Sequence, residues 1–374
     1  MKVLRMPWHT HGDWRDWRDC VLYLLSLALL LVALAACSGS PTPPPPLSVL
    51  HLPGVVQLDA VANLETKTGD HGIYSTVVYR PTDATTIGET SATHILYAGN
   101  RGLADLRLDG TGLRQIQMQP PCLAEGVIAV YGAHGVCFAE NSRGVLAFEA
   151  DALSSSWTSH VLVPTSPASF EALLSPTIAP DGKHFAALHR IGSEPIPTIN
   201  IYTVDSSFTG ASLVATITLL GFYARRLVWS PDGRWLAFTT DESTETTVAG
   251  ATYAFRLASV LPALPTIPVR QRQPIQVAVS KAHLTQLLDG TDMTDAWYPT
   301  GASAVWTYAA GRTIWQVDVL TGKRSAILTI PDGDICAFAW TPDGKQVVFV
   351  QCRLAGSMVV PPPARLYVYT LPTT

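Results

Sequence analysis

Two hydrophobic patterns divide this chain. Residues 21–36 read VLYLLSLALLLVALAA, an apolar run without a single charge. Beyond residue 47 the apolar positions come instead in short runs, several alternating with polar ones and separated by Gly, Pro and Asp. Period-two alternation puts successive side chains on opposite faces of a strand, and the punctuating residues reverse the chain. The second pattern predicts many short strands and an all-β fold.

Within it one motif recurs. TIAPDGKHFAAL (177–188), VWSPDGRWLAF (228–238) and AWTPDGKQVVFV (339–350) each run from an apolar strand end through Pro-Asp-Gly and a basic residue into an alternating strand. Pro180, Pro231 and Pro342 preset φ, Asp181, Asp232 and Asp343 bond back to their own backbone, and Gly182, Gly233 and Gly344 accept φ > 0. These nine residues are read as hairpin turns and not as catalytic groups. The prolines lie 51 and 111 residues apart, so a degenerate copy is expected in the wider gap. Self-similarity at this period is the signature of a propeller or a similar array.

The motif resembles the WD-repeat-like propeller repeats of the TolB family. INIYTVD (199–205), TIWQVDVLTGK (313–323) and ARLYVYTL (364–371) are similar to that family's third strand. LADLRLDGTGLRQI (103–116) matches a third strand, turn and fourth strand, and IQVAVSKAHLTQLL (275–288) is a degenerate version. The resemblance implies a single β-propeller over 47–374. Four-stranded blades are expected near 70–119, 120–166, 167–221, 222–290, 291–331 and 332–374. The last shows three strands, and LSVLHLPGVVQLD (47–59) could supply its fourth and close the ring. Six blades are expected, or seven if 241–272 hides further strands. The ten Trp residues are read as blade packing.

The apolar run sets the cellular address. Its sixteen residues are short for a membrane-spanning helix, which needs about 20. They suit the core of a secretion signal. The leader carries Lys2, Arg5, Arg15 and Arg18 against Asp13, Asp16 and Asp19, so its positive bias is slight, and Met6 is an alternative start. The run ends Leu34-Ala35-Ala36-Cys37, which resembles the bacterial lipobox. That resemblance implies cleavage before Cys37 and acylation of its thiol. Residues 1–36 are then a lipoprotein signal, and 37–46 a lipid-bearing Cys with a Pro-rich linker expected to extend as polyproline II. Each buried methylene contributes about 0.8 kcal/mol, so several acyl chains hold a protein firmly to a membrane. A cell-membrane or outer-membrane anchorage follows, facing the periplasm or exterior. Ser38, in place of an Asp, leans toward the outer membrane where there are two.

Cysteine usage agrees with export. Cys20 lies in the leader and Cys37 is the lipid acceptor, which leaves Cys122, Cys137, Cys336 and Cys352. Four cysteines allow three pairings. Counting outward from Gly344 sets Cys336 opposite Cys352 to within a residue, near disulfide range, and Cys122–Cys137 follows by elimination. No CxxC spacing indicates zinc.

Composition narrows the function classes. The 374 residues are 47% hydrophobic and 14% charged with a net charge of −4, so no basic excess points to nucleic acid. The sequence shows no nucleophile elbow, zinc-protease motif, phosphate loop or dinucleotide glycine pattern, and neither a metal nor a cofactor is expected. Outside the leader, His51, His71, His94, His134, His160, His184, His189 and His283 are scattered. Asp289, Asp292 and Asp295 resemble a loose calcium loop but lack alternating oxygen ligands, and read as an inter-blade turn.

The largest departure from the repeat is 242–274, read as an insertion between the second and third strands of blade four. With TDATTIGETSA (82–92) and RLAGSMVVPPPA (353–364) it places three enlarged loops on one rim. Enlarged loops on a rigid scaffold are where binding usually sits. The expected function is a non-catalytic platform for a protein or glycan partner on a loop face that includes 242–272. The alternative is a propeller enzyme (lyase, hydrolase or cofactor-dependent dehydrogenase) whose site converges in the central channel. A third reading is an accessory subunit of a separately encoded enzyme or transporter.

Overall fold

The chain forms two compact units, Met1–Pro45 and Pro46–Thr374. A computed structural model describes residues 47–58, 73–79, 93–99, 102–122, 128–138, 144–151, 154–165, 171–192, 198–222, 224–240, 251–261, 264, 273–288, 295–299, 304–355 and 358–372, all in the second unit. Cys37 and the stretches expected to be signal and linker lie outside the described residues, as do Asp289 and Asp292.

The strands follow one plan. β1 (Val55–Gln57) comes first and joins the last group. Group one is β2 (Ile73–Tyr79), β3 (His94–Gly99), β4 (Gly102–Arg107) and β5 (Arg114–Gln119). Group two is β6 (Ile128–Tyr131), β7 (His134–Phe138), β8 (Val145–Glu149) and β9 (Ser156–Val163). Group three is β10 (Ala172–Ile178), β11 (His184–Arg190), β12 (Thr198–Val204) and β13 (Ala211–Leu219). Group four opens with β14 (Ala224–Trp229), β15 (Trp235–Thr240) and β16 (Thr252–Arg256). A single helical turn, α1 (Leu257–Val260), and β17 (Ile275–Val279) then precede its fourth strand, β18 (Thr285–Leu288). Group five is β19 (Asp295–Trp297), β20 (Val305–Ala310), β21 (Thr313–Asp318) and β22 (Arg324–Thr329). Group six is β23 (Asp334–Trp340), β24 (Gln346–Ala355) and β25 (Met358–Thr370), completed by β1. Each is an antiparallel up-and-down sheet.

The groups pack as a closed ring. Their first strands touch in cyclic order, β2 to β6, β10, β14, β19, β23 and back to β2. The buried cores lie between neighbouring groups rather than inside any one of them, and they run one–two, two–three, three–four, four–five, five–six and six–one. A ring of face-to-face sheets around a common axis is a β-propeller.

This packing explains the second strands. FAAL in β11 and VVFV in β24 are not amphipathic, since both faces of the sheet are covered. Val347 and Phe349 point into the five–six seam, while Val348 and Val350 point into the six–one seam. Period two here selects which seam a side chain enters, not core against solvent.

Group four corrects the sequence reading. The stretch 242–274 is not one insertion between the second and third strands. TYAFR (252–256), inside it, is the third strand itself and pairs with β15 along its length. It completes the fourth group and does not start a further one. IQVAV, expected as that third strand, is β17, and it pairs in parallel with β13 at the outer edge of group three. The helical turn α1 therefore leaves from the opposite end of β16 to the one that receives the second–third connection.

The ring closes through the N-terminal segment. β1 pairs antiparallel with β25, Val56 opposite Val368. Leu47 and Leu50 are buried, and Leu50 joins the five–six core. Asp332, between β22 and β23, accepts the Ser48 amide at 2.9 Å and that of Gly333 at 2.8 Å. The Ser48 amide, foremost, holds this carboxyl below the usual range. The first described strand thus covers the last sheet's edge.

One disulfide ties the connection after β5 to β7, and the other joins β23 to β24 within group six. Cys122 joins Cys137 and Cys336 joins Cys352, with Cα atoms 5.8 and 6.0 Å apart. The register differs from the hairpin count: Cys352 faces Asp334, and Cys336 sits in a bulge between Ile335 and Ala337. The second bridge therefore runs diagonally. The loops span 15 and 16 residues, so each closure is worth about 3 kcal/mol in loop entropy. Replacing either pair by alanine is expected to lower the guanidinium midpoint of unfolding and to make that midpoint less sensitive to reductant.

Candidate binding groove

The three Pro-Asp-Gly turns share one construction. Gly182, Gly233 and Gly344 sit at φ of 62°, 70° and 68° and donate to the carbonyls of Ala179, Ser230 and Thr341. Asp181 Oδ1, Asp232 Oδ1 and Asp343 Oδ1 accept the amides of Lys183, Arg234 and Lys345 at 2.8, 3.0 and 3.1 Å. In the last two turns the hydroxyls of Ser230 and Thr341 also bond the aspartate, both at 2.7 Å. The structure gives these turns a second task. The Tyr131 ring of group two lies over Gly182, where a Cβ would sit within 2.5 Å of it. The Pro180 ring approaches Gly233, and Tyr298 of group five donates to the Gly344 carbonyl at 3.0 Å. Each turn is thus also a joint to the preceding group, a role that no local pattern reveals.

Other polar contacts stitch the inner strands. A bulge in β10 between Leu174 and Thr177 places Ser175 at a φ of 48°. Its Oγ accepts the Leu227 amide at 2.9 Å, and Thr177 Oγ1 accepts that of Trp229 at 3.3 Å. Trp297 Nε1 donates to the Val228 carbonyl and Trp340 Nε1 to Thr307 Oγ1, at 3.2 and 2.9 Å. Trp297 and Trp340 therefore work as inter-group ties.

A groove of about 790 Å³ opens where the turns of groups three and four meet α1. Ala179, Trp229, Leu257, Leu261 and Leu264 make its apolar floor, and Asp181, Asp232, Arg234 and Arg256 stand on its rim. β16 ends at Arg256, and its direction delivers α1 to this rim rather than to the rim of second–third connections. Of the described part of 242–272, Leu257, Ala258, Leu261 and Leu264 line this groove and thus lie on the face opposite to the one expected from the repeat. A smaller hollow of about 220 Å³ continues past Pro231 and Asp232 to Trp297, Tyr298 and Val305 of group five.

The rim's electrostatics are local. His184 is buried, and its Nδ1 lies 2.6 Å from Asp181 Oδ2. Burial pushes the Asp181 carboxyl up, but the His184 hydrogen bond and the Lys183 amide outweigh it, and the net shift is downward. Asp232 lies 3.7 Å from Arg234 Nε. Arg256 is exposed and has no ion-pair partner among the described residues.

The described histidines do not converge. His94 bonds Asp105, His160 the Phe208 carbonyl, His184 Asp181, His189 Glu171 and His283 Ser280, each in a separate place. Among the described residues no three His, Cys, Asp or Glu side chains are grouped to hold a metal ion. Sequence reasoning missed the groove because it missed β16. The alternating aromatics of TYAFR were the available signal.

No protein-family model matches the chain, and no curated protein matches it in sequence. In structure it is similar to the β-propeller domain of Swd1 from Myceliophteria thermophila, at 14% identity over 80% of this chain and 84% of that one, with a TM-score of 0.47. It is similar to a putative TolB from Agrobacterium tumefaciens, at 14% identity over 76% and 87%, with a TM-score of 0.41. It is also similar to Kuenenia stuttgartiensis hydrazine synthase, at 15% identity over 76% and 78%, with a TM-score of 0.42.

Proposed function

We propose that this chain is an exported, lipid-anchored propeller of six four-stranded blades that serves as a non-catalytic binding platform for a protein or glycan partner. The observation that carries the platform reading is the groove at the three–four junction. It combines an apolar floor with charged rim groups, on turns that are fixed to the blades beside them. Its volume lies in the range of ligand sites, about 300–1,000 Å³. The six-blade reading rests on the cyclic order of seams. The anchor rests on the Leu34–Cys37 motif after an uncharged apolar run.

Two experiments test the two halves. Cys37→Ser is expected to abolish palmitate labelling and to move the protein out of the membrane fraction. Continued labelling and sedimentation of the variant would remove the anchor from the reading. For the platform, a photo-crosslinking residue at Arg234 on the groove rim is compared with one at Ile191 on the opposite rim, in the full-length chain in its own cells. A discrete adduct is expected from position 234 alone. Adducts only from 191, or from neither, would remove this face.

A further inference from the structure

We propose that the five–six seam holds a phosphate site built from Arg353, Arg365 and Gln351, at the end where Leu47 enters the fold. This goes beyond the platform reading, since it assigns a small ligand to the rim away from the groove.

The backbone brings these side chains together. Gln351 pairs with Arg365 across the β24–β25 ladder, so the two project from one face of the sheet. Phe349 and Tyr367, two residues along each strand, mark that face as the five–six side. Gln351 is fully buried, and its Nε2 donates to the Asp332 carbonyl at 2.9 Å and to the Ser48 carbonyl at 3.4 Å. A bulge after Gln351 brings Arg353 to the same loop, with its Nη2 3.4 Å from Asp332 Oδ1. Asp332 lies before β23, at the opposite end of that strand from the turn at Gly344, which sets the cluster on the other rim from the groove.

The unmet polar atoms decide the ligand. Gln351 Oε1, Arg353 Nε and Arg365 Nη1 are buried and have no hydrogen-bond partner among the described residues. The Asp332 carboxylate serves Arg353 and already accepts the amides of Ser48 and Gly333. Arg365 is half-buried and has no ion-pair partner among the described residues. Asp334 turns toward Gly311 of group five instead. One guanidinium charge is therefore left uncompensated. Water hydrates such a charge without neutralising it, whereas an anion does both. Open donors on two forks suit an oxyanion. The open acceptor, Gln351 Oε1, requires a donor in addition. Carboxylate and sulfate carry no proton at neutral pH. Inorganic phosphate keeps at least one, and a phosphate monoester, with a second pKa of about 6, takes one up readily. A soluble phosphate and the terminal phosphate of a lipid headgroup share this chemistry.

The test follows the thermal unfolding midpoint of the full-length chain in neutral detergent. Phosphate, sulfate or acetate is added at matched ionic strength, too dilute for general salt exclusion. Phosphate alone is expected to raise the midpoint, and to do so saturably. Arg365→Met is expected to abolish that rise and to raise the midpoint in phosphate-free buffer, because an uncompensated charge is removed from a half-buried place. Arg365→Lys, which keeps the charge but not the fork, is expected to need about tenfold more phosphate for the same rise. Arg190→Gln, which removes an exposed cation at the end of β11 on the same rim, is expected to leave the rise intact. No rise with phosphate, an equal rise with sulfate, or a rise that survives Arg365→Met overturns the proposal. Phosphatidylcholine nanodiscs with and without phosphatidate then separate the sources. Loss of the response to added phosphate in the phosphatidate discs assigns the site to a lipid headgroup, and an unchanged response assigns it to soluble phosphate.

Discussion

Asp105→Ala is expected to cost about 3 kcal/mol or more of stability, the scale of breaking a buried ion pair by removing one partner. Asp105 is fully buried in β4, within 3.1 Å of His94 Nδ1 and in contact with Arg114. Arg114 also reaches the carbonyls of Asp151 and Ser154, at 3.3 and 2.9 Å, so the carboxylate orients the residue that ties group one to group two. Without it a mostly buried guanidinium loses its counter-charge. Asp105→Asn, which keeps an acceptor, is expected to cost less. Acidity provides an independent check. Burial pushes the Asp105 carboxyl up, but hydrogen bonding and charge from His94, and then from Arg114, bring it below its ordinary 3.8. A carboxyl lowered in the folded state contributes stability that is complete above its unfolded value and is lost as pH falls through its folded value. The stability gap between the wild type and Asp105→Asn should therefore be full at pH 7 and narrow below about pH 4. A gap constant down to pH 2 would show that the carboxylate's charge is not what stabilises this seam.

Trp306→Ala is expected to destabilise by about 3–5 kcal/mol, read as a fall in the guanidinium midpoint. Trp306 is 0% exposed at the centre of the four–five seam, where it meets Trp297 edge to face at 5.0 Å among Leu287, Tyr308 and Val317. Trp297 in turn bonds β14, so a void there also loosens the tie to group four. Trp306→Phe should cost far less. The Trp306 Nε1 is buried and has no hydrogen-bond partner among the described residues, and removing that N–H offsets part of the smaller ring's lost packing. Equal losses in the two variants would show that ring volume does not set the stability of this seam.

Much of the propeller was legible because its signals are local. Pro-Asp-Gly acts through φ preference and an aspartate bonding its own backbone two residues on, and all three turns are made that way. Closure by 47–59 was also readable, since an incomplete last group leaves an edge that another strand must cover. Group four was misread because the third-strand pattern of IQVAV looks alike whether the segment pairs in its own blade or on the outside of the blade before it. Only partner geometry separates those outcomes, and in the fold it pairs parallel with β13.

By itself, then, the sequence determined the all-β class, the repeat, the turn chemistry and the strand that closes the ring. Each depends on residues close together in the chain or on a requirement that any sheet edge imposes. The tertiary structure alone decided that the glycines of the turns are seats for neighbouring rings, that alternate residues of β24 enter different seams, and that Arg256, Leu257 and Leu261 come together with turns more than 20 residues away. Those relations depend on which blade faces which, and short-range pattern cannot carry that, because every blade repeats nearly the same pattern.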